Sequence, residues 1–227
     1  MLDCRIIKYR EDFTVDITLR VAPGEALGIF GGSAAGKSTV LSCLAGTETA
    51  DAGHIQWVAE RWFPPPRPLH ARRLGYLSQK ERLFPHLTVR DNVLFSLDRH
   101  ARAAARPWIR ELCERLSLDA LWDKPATTLS GGQARRAALA RTLCRKPPLL
   151  LLDEPFTGLD RPLAREVMGA LGDWQRRLGF TLLVVDHDPA VIRALCDSAV
   201  VVQQGHIVQS GAAGALRGED EKQPRTD

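Results

Sequence analysis

Gly31-Gly32-Ser33-Ala34-Ala35-Gly36-Lys37-Ser38 lies between a short apolar run, Ala26 to Phe30, and a segment of helical character, Lys37 to Leu44. Strand, glycine-containing loop and helix in that order supply the context that the pattern Gly, four residues, Gly-Lys-Ser requires. Successive backbone N–H groups and a helix N-terminus form an anion cradle there. In it Lys37 would reach the β- and γ-phosphates of a nucleotide, and the Ser38 hydroxyl would ligate Mg²⁺. A glycine-rich turn matching by chance is the alternative, and the flanking strand and helix weigh against it.

On the N-terminal side of this loop, Phe13 to Val21 alternates apolar and polar residues as a half-buried antiparallel strand does, and Pro23-Gly24 closes it with a turn. On the C-terminal side, four prolines between Trp62 and Pro68 predict a surface loop before a strand at Leu74 to Leu77. From about Thr88 to Arg145, Ala, Leu, Arg and Glu dominate and strand-like alternation disappears, which predicts a helical insertion. Pro147-Pro148 ends it. Leu149 to Leu152 and Thr181 to Val185 are apolar runs of buried-strand length, with a helix from roughly Pro162 to Leu178 between them. Strands alternating with helices predict an α/β fold with a mainly parallel sheet. Ala199 to Val202 and His206 to Gln209 predict a terminal hairpin across Gln203-Gln204-Gly205, and the charged stretch from Arg217 to Asp227 is expected to fray.

The 227 residues are 44% hydrophobic and 26% charged, ordinary usage for a globular chain that can bury a sizeable core, which excludes fibrous and disordered classes. No apolar run approaches the ~18 to 20 residues of a membrane-spanning helix. The N-terminus lacks the basic segment and apolar core of a secretory signal, so a cytosolic address is expected. Five scattered cysteines without a Cys-x-x-Cys pair predict reduced structural thiols rather than disulfides or zinc. The net charge of +4 is a mild bias, and the pairs Arg72-Arg73, Arg135-Arg136 and Arg176-Arg177 are dispersed, as solvated helix or loop surface would be. No nucleic-acid partner is expected.

Leu149-Leu150-Leu151-Leu152-Asp153-Glu154 puts two carboxylates at the C-terminal end of a buried strand, the edge at which open α/β sheets bind ligands. Asp153 suits the holding of Mg²⁺ through water. Glu154 suits the acceptance of a proton from water attacking the γ-phosphate. Without the companion loop an isolated Asp-Glu would be an ordinary solvated strand end.

Leu129-Ser130-Gly131-Gly132-Gln133 resembles the signature of the ATP-binding cassette (ABC) family over all five residues. The hydroxyl, the glycines and the start of a helix also make a second place suited to phosphate. The resemblance runs from about residue 13 to 211. It implies a RecA-like phosphate-loop NTPase core with a mainly parallel sheet, an N-terminal antiparallel β subdomain and an inserted α-helical subdomain. The divisions it implies are residues 1–87 and 146–211 for the core, 88–145 for the helical signature subdomain and 212–227 for a flexible tail. ATP would contact Gly31, Gly32, Ser33, Ala34, Ala35, Gly36, Lys37, Ser38 and Thr39. A homodimer formed on ATP would then bring Ser130, Gly132, Gln133 and Asp160 of one copy to the nucleotide of the other. Gln79 matches the glutamine that senses Mg²⁺ and the attacking water, so the implied metal set is Ser38, Gln79 and Asp153. His187 matches the histidine that contacts the γ-phosphate and orients Glu154 or the water. Tyr9 is the first choice for the aromatic that stacks on adenine, while Phe13, alternating with Val15 and Ile17, reads as core.

Ala34, Ala134 and Asp186 depart from the commonest family pattern without removing a group that hydrolysis needs. Strand alternation predicts that the Asp186 side chain points away from His187. Leu83-Phe84-Pro85-His86-Leu87 resembles the corresponding region of bacterial importer ATPases of the molybdate and thiamine type. The implied role is the ATP-hydrolysing subunit of an importer, peripheral on the cytoplasmic face of the cell membrane. Integral membrane permease subunits would be its partners and a periplasmic binding protein an indirect one. The chain ends soon after Gly211, so a C-terminal regulatory domain is expected to be missing. The ATPase of a small exporter or lipoprotein-release system is the alternative, and a soluble non-transport ABC ATPase a more distant one.

Overall fold

In the computed structural model, which describes residues 1–80 and 82–215, the alternation from Phe13 to Val21 forms one strand as expected, and a further strand precedes it. β1 (Leu2–Tyr9) and β2 (Thr14–Val21) pair antiparallel from Leu2 opposite Val21 to Tyr9 opposite Thr14. β3 (Ala26–Phe30) follows, then the phosphate-loop segment and α1 (Lys37–Ala45). β4 (Ala52–Trp57) pairs antiparallel with β1 and with β5 (Glu60–Phe63), giving a four-stranded sheet of order β2-β1-β4-β5. After β6 (Gly75–Leu77) come the helices α2 (Val89–Leu94), α3 (Arg99–Ala104), α4 (Arg106–Arg115) and α5 (Gly131–Leu143). The chain closes with β7 (Leu149–Asp153), α6 (Arg161–Leu178), β8 (Thr181–Val185), α7 (Pro189–Leu195), β9 (Ser198–Gln203) and β10 (His206–Ala212).

The second sheet has the order β10-β9-β3-β8-β7-β6, parallel throughout except for the β9–β10 hairpin. Period-two alternation explains why the stretches 149–152 and 182–185 of its central strands are apolar on both sides. Leu150, Leu152, Leu182 and Val184 face the helices α4 to α7, whereas Leu149, Leu151, Leu183 and Val185 face α1 and the antiparallel sheet. A strand buried on both faces has no polar side to show.

The expected tail from residue 212 onward is corrected in part. β10 runs to Ala212, and Ala213 is buried, its N–H donating to Asp197 O at 3.1 Å. The expected fraying of Arg217 to Asp227 lies outside the described residues. Also corrected is the surface reading of Arg72. It is buried and donates to Cys43 O (2.7 Å), Leu44 O (2.5 Å) and Arg67 O (2.6 Å). α1 has no basic residue in its last turn, so Arg72 brings cationic charge to a C-terminus that would otherwise lack it. Burial draws its pKa down to about 10. All five thiols are free, four buried and Cys196 half-buried, as expected of structural cysteines. Among the described residues no helix is long and apolar enough to cross a membrane.

Candidate functional site

Parallel order brings the C-terminal ends of β3, β6, β7 and β8 side by side, and each end delivers a group to the same place. From β3 the chain turns into the phosphate loop. Gly31 has φ 152°, and a Cβ there would stand 2.1 Å from Val202 O, so only glycine allows this close approach. Lys37, the first residue of α1, is buried and donates to Gly31 O (2.8 Å) and Gly32 O (2.7 Å). Its third ammonium hydrogen is left for a phosphate oxygen. Burial lowers its pKa, and the charges of Glu154, Asp153 and Asp186 oppose that shift.

β7 ends at Asp153, which is 2% exposed. The Ser38 hydroxyl hydrogen-bonds its carboxylate, while Oδ1 is buried with no hydrogen-bond partner among the described residues. Burial raises the pKa of this carboxyl, the Ser38 hydrogen bond lowers it, nearby Glu154 raises it, and the Arg135 and Lys37 charges lower it. An unpartnered buried carboxylate oxygen beside a serine hydroxyl at a phosphate loop fits Mg²⁺, which takes one or two protein ligands and completes its shell with water and phosphate. The folded-state pKa is raised, so the electrostatic cost of the group is absent below the unfolded pKa and grows as pH rises from there through the folded one. Asp153→Asn should therefore raise the melting temperature of the nucleotide-free chain at pH 7 by about 2 °C or more. A fall in melting temperature would show that the charge is compensated.

Glu154 follows with φ 48°, a left-handed conformation uncommon for a residue with a side chain, and its N–H donates to Val185 O at 2.8 Å. Its Oε2 accepts from Gln79 Nε2 (3.2 Å) and Thr157 Oγ1 (3.3 Å). His187 Nδ1 lies 3.6 Å from Glu154 Oε1 and 3.7 Å from Asp186 Oδ1, with the histidine side chain 69% exposed. A carboxylate flanked by an amide donor and an imidazole can orient a water and take its proton.

Asp186 departs from the expectation that its side chain points away from His187. β8 ends at Val185, so strand alternation no longer governs Asp186, whose Oδ1 turns back to accept the Asp188 N–H at 2.9 Å. It is buried, and burial lifts its pKa despite that hydrogen bond. Tyr9 and Phe13 both line a cavity of about 800 Å³ that reaches the 34–39 stretch. Tyr9 is exposed, and Phe13 is packed against the core along one side.

Ser130, Gly132, Gln133 and Asp160 form a second group. Ser130 caps α5, its Oγ accepting from Gln133 N (3.3 Å) while Gln133 Oε1 accepts from Ser130 N (2.9 Å). That box leaves the N–H groups of Gly131 and Gly132, which lie at the open end of the helix. A Cβ on Gly132 would meet Gly158 O at 2.5 Å, so glycine there lets the signature rest on the loop before α6, whose N-cap is Asp160. Among the described residues no hydrogen bond or ion pair joins this group to residues 31–39.

Three contributors had no counterpart in the sequence reading. Arg10 Nη2 donates to Thr39 Oγ1 at 3.0 Å beside the cavity, and Thr157 supports Glu154. The third, Arg135, is buried rather than solvated, as is Arg136, which donates to Leu116 O and Ser117 O. The pair Arg176-Arg177 is exposed as expected.

A family model described as ABC transporter matches residues 14–157. The chain is 35% identical over 225 residues to the molybdenum import ATP-binding protein ModC of Rhodobacter capsulatus, covering 96% of this chain and 61% of that protein. It is 40% identical over 200 residues to the spermidine/putrescine import ATP-binding protein PotA of Lawsonia intracellularis, covering 86% and 53%. Thus the chain spans less than two thirds of either relative. A dimeric ATP-binding cassette in a post-hydrolysis state bound to ADP and Pi shares the fold, with a TM-score of 0.81 at 23% identity over 96% of this chain and 100% of that one.

Proposed function

Because the chain belongs to the ABC transporter family, we propose that it hydrolyses ATP as the energy-supplying subunit of an importer, peripheral on the cytoplasmic face of a membrane and docked on separate permease subunits. One observation carries the enzymatic part. The Lys37 loop, the unpartnered Asp153 Oδ1 and the Gln79–Glu154–His187 group converge at the ends of neighbouring parallel strands.

In this function the loop N–H groups and Lys37 hold the β- and γ-phosphates, and the 800 Å³ cavity takes the base against Tyr9, with Phe13 beside it. Ser38, Asp153 and Gln79 would hold Mg²⁺, which would offset the negative charge of the phosphate groups. Gln79 and His187 orient the attacking water, and Glu154 accepts its proton. Gly131 and Gly132 present N–H groups, and Ser130 its hydroxyl, to the γ-phosphate held by a second copy, with Gln133 and Asp160 at the same interface. This is the crossed homodimer that the family resemblance implies. The two named relatives carry different cargoes, so their likeness supports import without selecting a cargo. A periplasmic binding protein would meet the permease rather than this chain.

Docking has local support beside the Gln79 loop. Phe84 lies outside the core, stacked on exposed Phe95 with centroids 4.5 Å apart and under Arg141 at 5.0 Å. Asn92 clamps the Phe84 backbone through both N–H (2.8 Å) and C=O (3.1 Å). Leu83, by contrast, packs against the core. On the far side of α2 a cavity of about 560 Å³ sets Arg90, Arg99, Arg102 and Arg106 around Leu94 and Ile109, a polar rim over an apolar floor. The purified chain should release phosphate from ATP with Mg²⁺, and Phe84→Ala should leave that rate and the melting temperature nearly unchanged while abolishing association with the permease. Absence of hydrolysis by the unaltered chain would overturn the ATPase function. A stability loss of about 3 to 5 kcal/mol in Phe84→Ala would make Phe84 core instead.

A further inference from the structure

We propose that Arg135 is a positioning residue for Glu154, a role that rests on the ATPase function above. Its guanidinium leaves α5 and reaches three backbone carbonyls. Nη1 donates to Ser78 O at 2.6 Å, and Nη2 donates both to Asp153 O and to Glu154 O, the latter at 3.0 Å. Ser78 follows β6 and Asp153 closes β7, and these are adjacent parallel strands. One planar fork therefore ties together two strand ends separated by the helical insertion. The tie falls next to the Gln79 Nε2 to Glu154 Oε2 hydrogen bond.

Two features make this a matter of geometry rather than packing alone. Glu154 holds φ 48°, a conformation that persists only where its surroundings impose it, and Arg135 grips the carbonyl on each side of that residue's Cα. A buried guanidinium also presents several donors in a fixed plane, which lysine cannot reproduce from a single nitrogen. Moreover, α5 begins at the signature, so Arg135 sits about one turn from the groups that meet a partner's nucleotide. Movement of that helix is transmitted to the subunit's own base through the three carbonyls.

The test measures kcat, ATP affinity and melting temperature for Arg135→Gln and Arg135→Lys, each in the unaltered and the Glu154→Gln backgrounds, with rates normalised to bound nucleotide. Positioning predicts that Arg135→Gln lowers kcat by about 10- to 100-fold with ATP affinity within about 3-fold, and that Arg135→Lys is intermediate. In the Glu154→Gln background neither change should lower the residual rate further, because the group being positioned is already gone. Losses that multiply across the two sites would overturn the proposal, as would a lowered melting temperature with an unchanged rate per bound nucleotide. Where Arg135→Gln fails to fold, Arg135→Lys carries the same comparison. If the unaltered chain hydrolyses no ATP, the ATPase function falls and the positioning role with it. If it does and Arg135→Lys matches it in rate, the positioning role alone falls.

Discussion

In the Glu154→Gln variant ATP still binds, and its hydrolysis falls by ~10² or more, the span expected when a general base is lost. The side chain keeps its length and can still accept from Gln79 Nε2 and Thr157 Oγ1 through the remaining carbonyl oxygen, so the local hydrogen bonds survive with little rearrangement. What disappears is the proton acceptor. Lys37, Ser38 and the loop N–H groups are untouched, which is why affinity is preserved. ATP trapped between two copies would then accumulate the dimer, visible as a doubled mass by light scattering in the presence of ATP and Mg²⁺. Turnover near the unaltered rate with binding intact would remove Glu154 from the role.

The second large effect concerns the crossed arrangement. Lys37→Ala and Ser130→Arg should each abolish hydrolysis in their own homodimers, because every site lacks one half. In a one-to-one mixture about half of the dimers are mixed, and each mixed dimer holds one intact site and one doubly damaged site, so activity should return to roughly a quarter of the unaltered level if the sites act independently. Ser130→Arg also removes the α5 cap, at a cost of about 1 kcal/mol, so its fold needs checking by melting temperature. A mixture in which hybrid dimers are demonstrated but no activity returns would rule the crossed site out.

Much of this was legible in the chain because its local signals agree. The runs Leu149 to Leu152 and Thr181 to Val185 could only be strands covered on both faces, and both faces are indeed covered. Three N-terminal strands are not legible in the chain, each for its own reason. β1 carries an alternation only at Leu2, Cys4 and Ile6, β4 opens on Ala52, Gly53 and His54 and turns only Ile55 and Trp57 fully inward, and β5 has four residues and runs directly into the prolines. α7 was missed although Asp188 and Pro189 are an N-cap and first-turn pair, since only seven residues follow the cap. The buried arginines were not legible at all. Arg135 meets Ser78 across 57 residues and Arg72 meets Cys43 across 29, and their partners are backbone carbonyls, which carry no residue-type signature. The Asp186 side chain escapes strand alternation because it lies one residue past the end of β8.

The five free thiols have a practical consequence for probing this molecule. Burial pushes Cys4, Cys113 and Cys196 up to about 12 and Cys43 and Cys144 up to about 11. At neutral pH the thiolate that reacts with maleimides or iodoacetamide is then almost absent from the native chain. A single cysteine introduced at an exposed position outside the nucleotide and docking residues, such as Val58, would become the dominant labelling site without removal of the native five. Fluorophores for watching closure of two copies around ATP can thus be attached in an otherwise unaltered background.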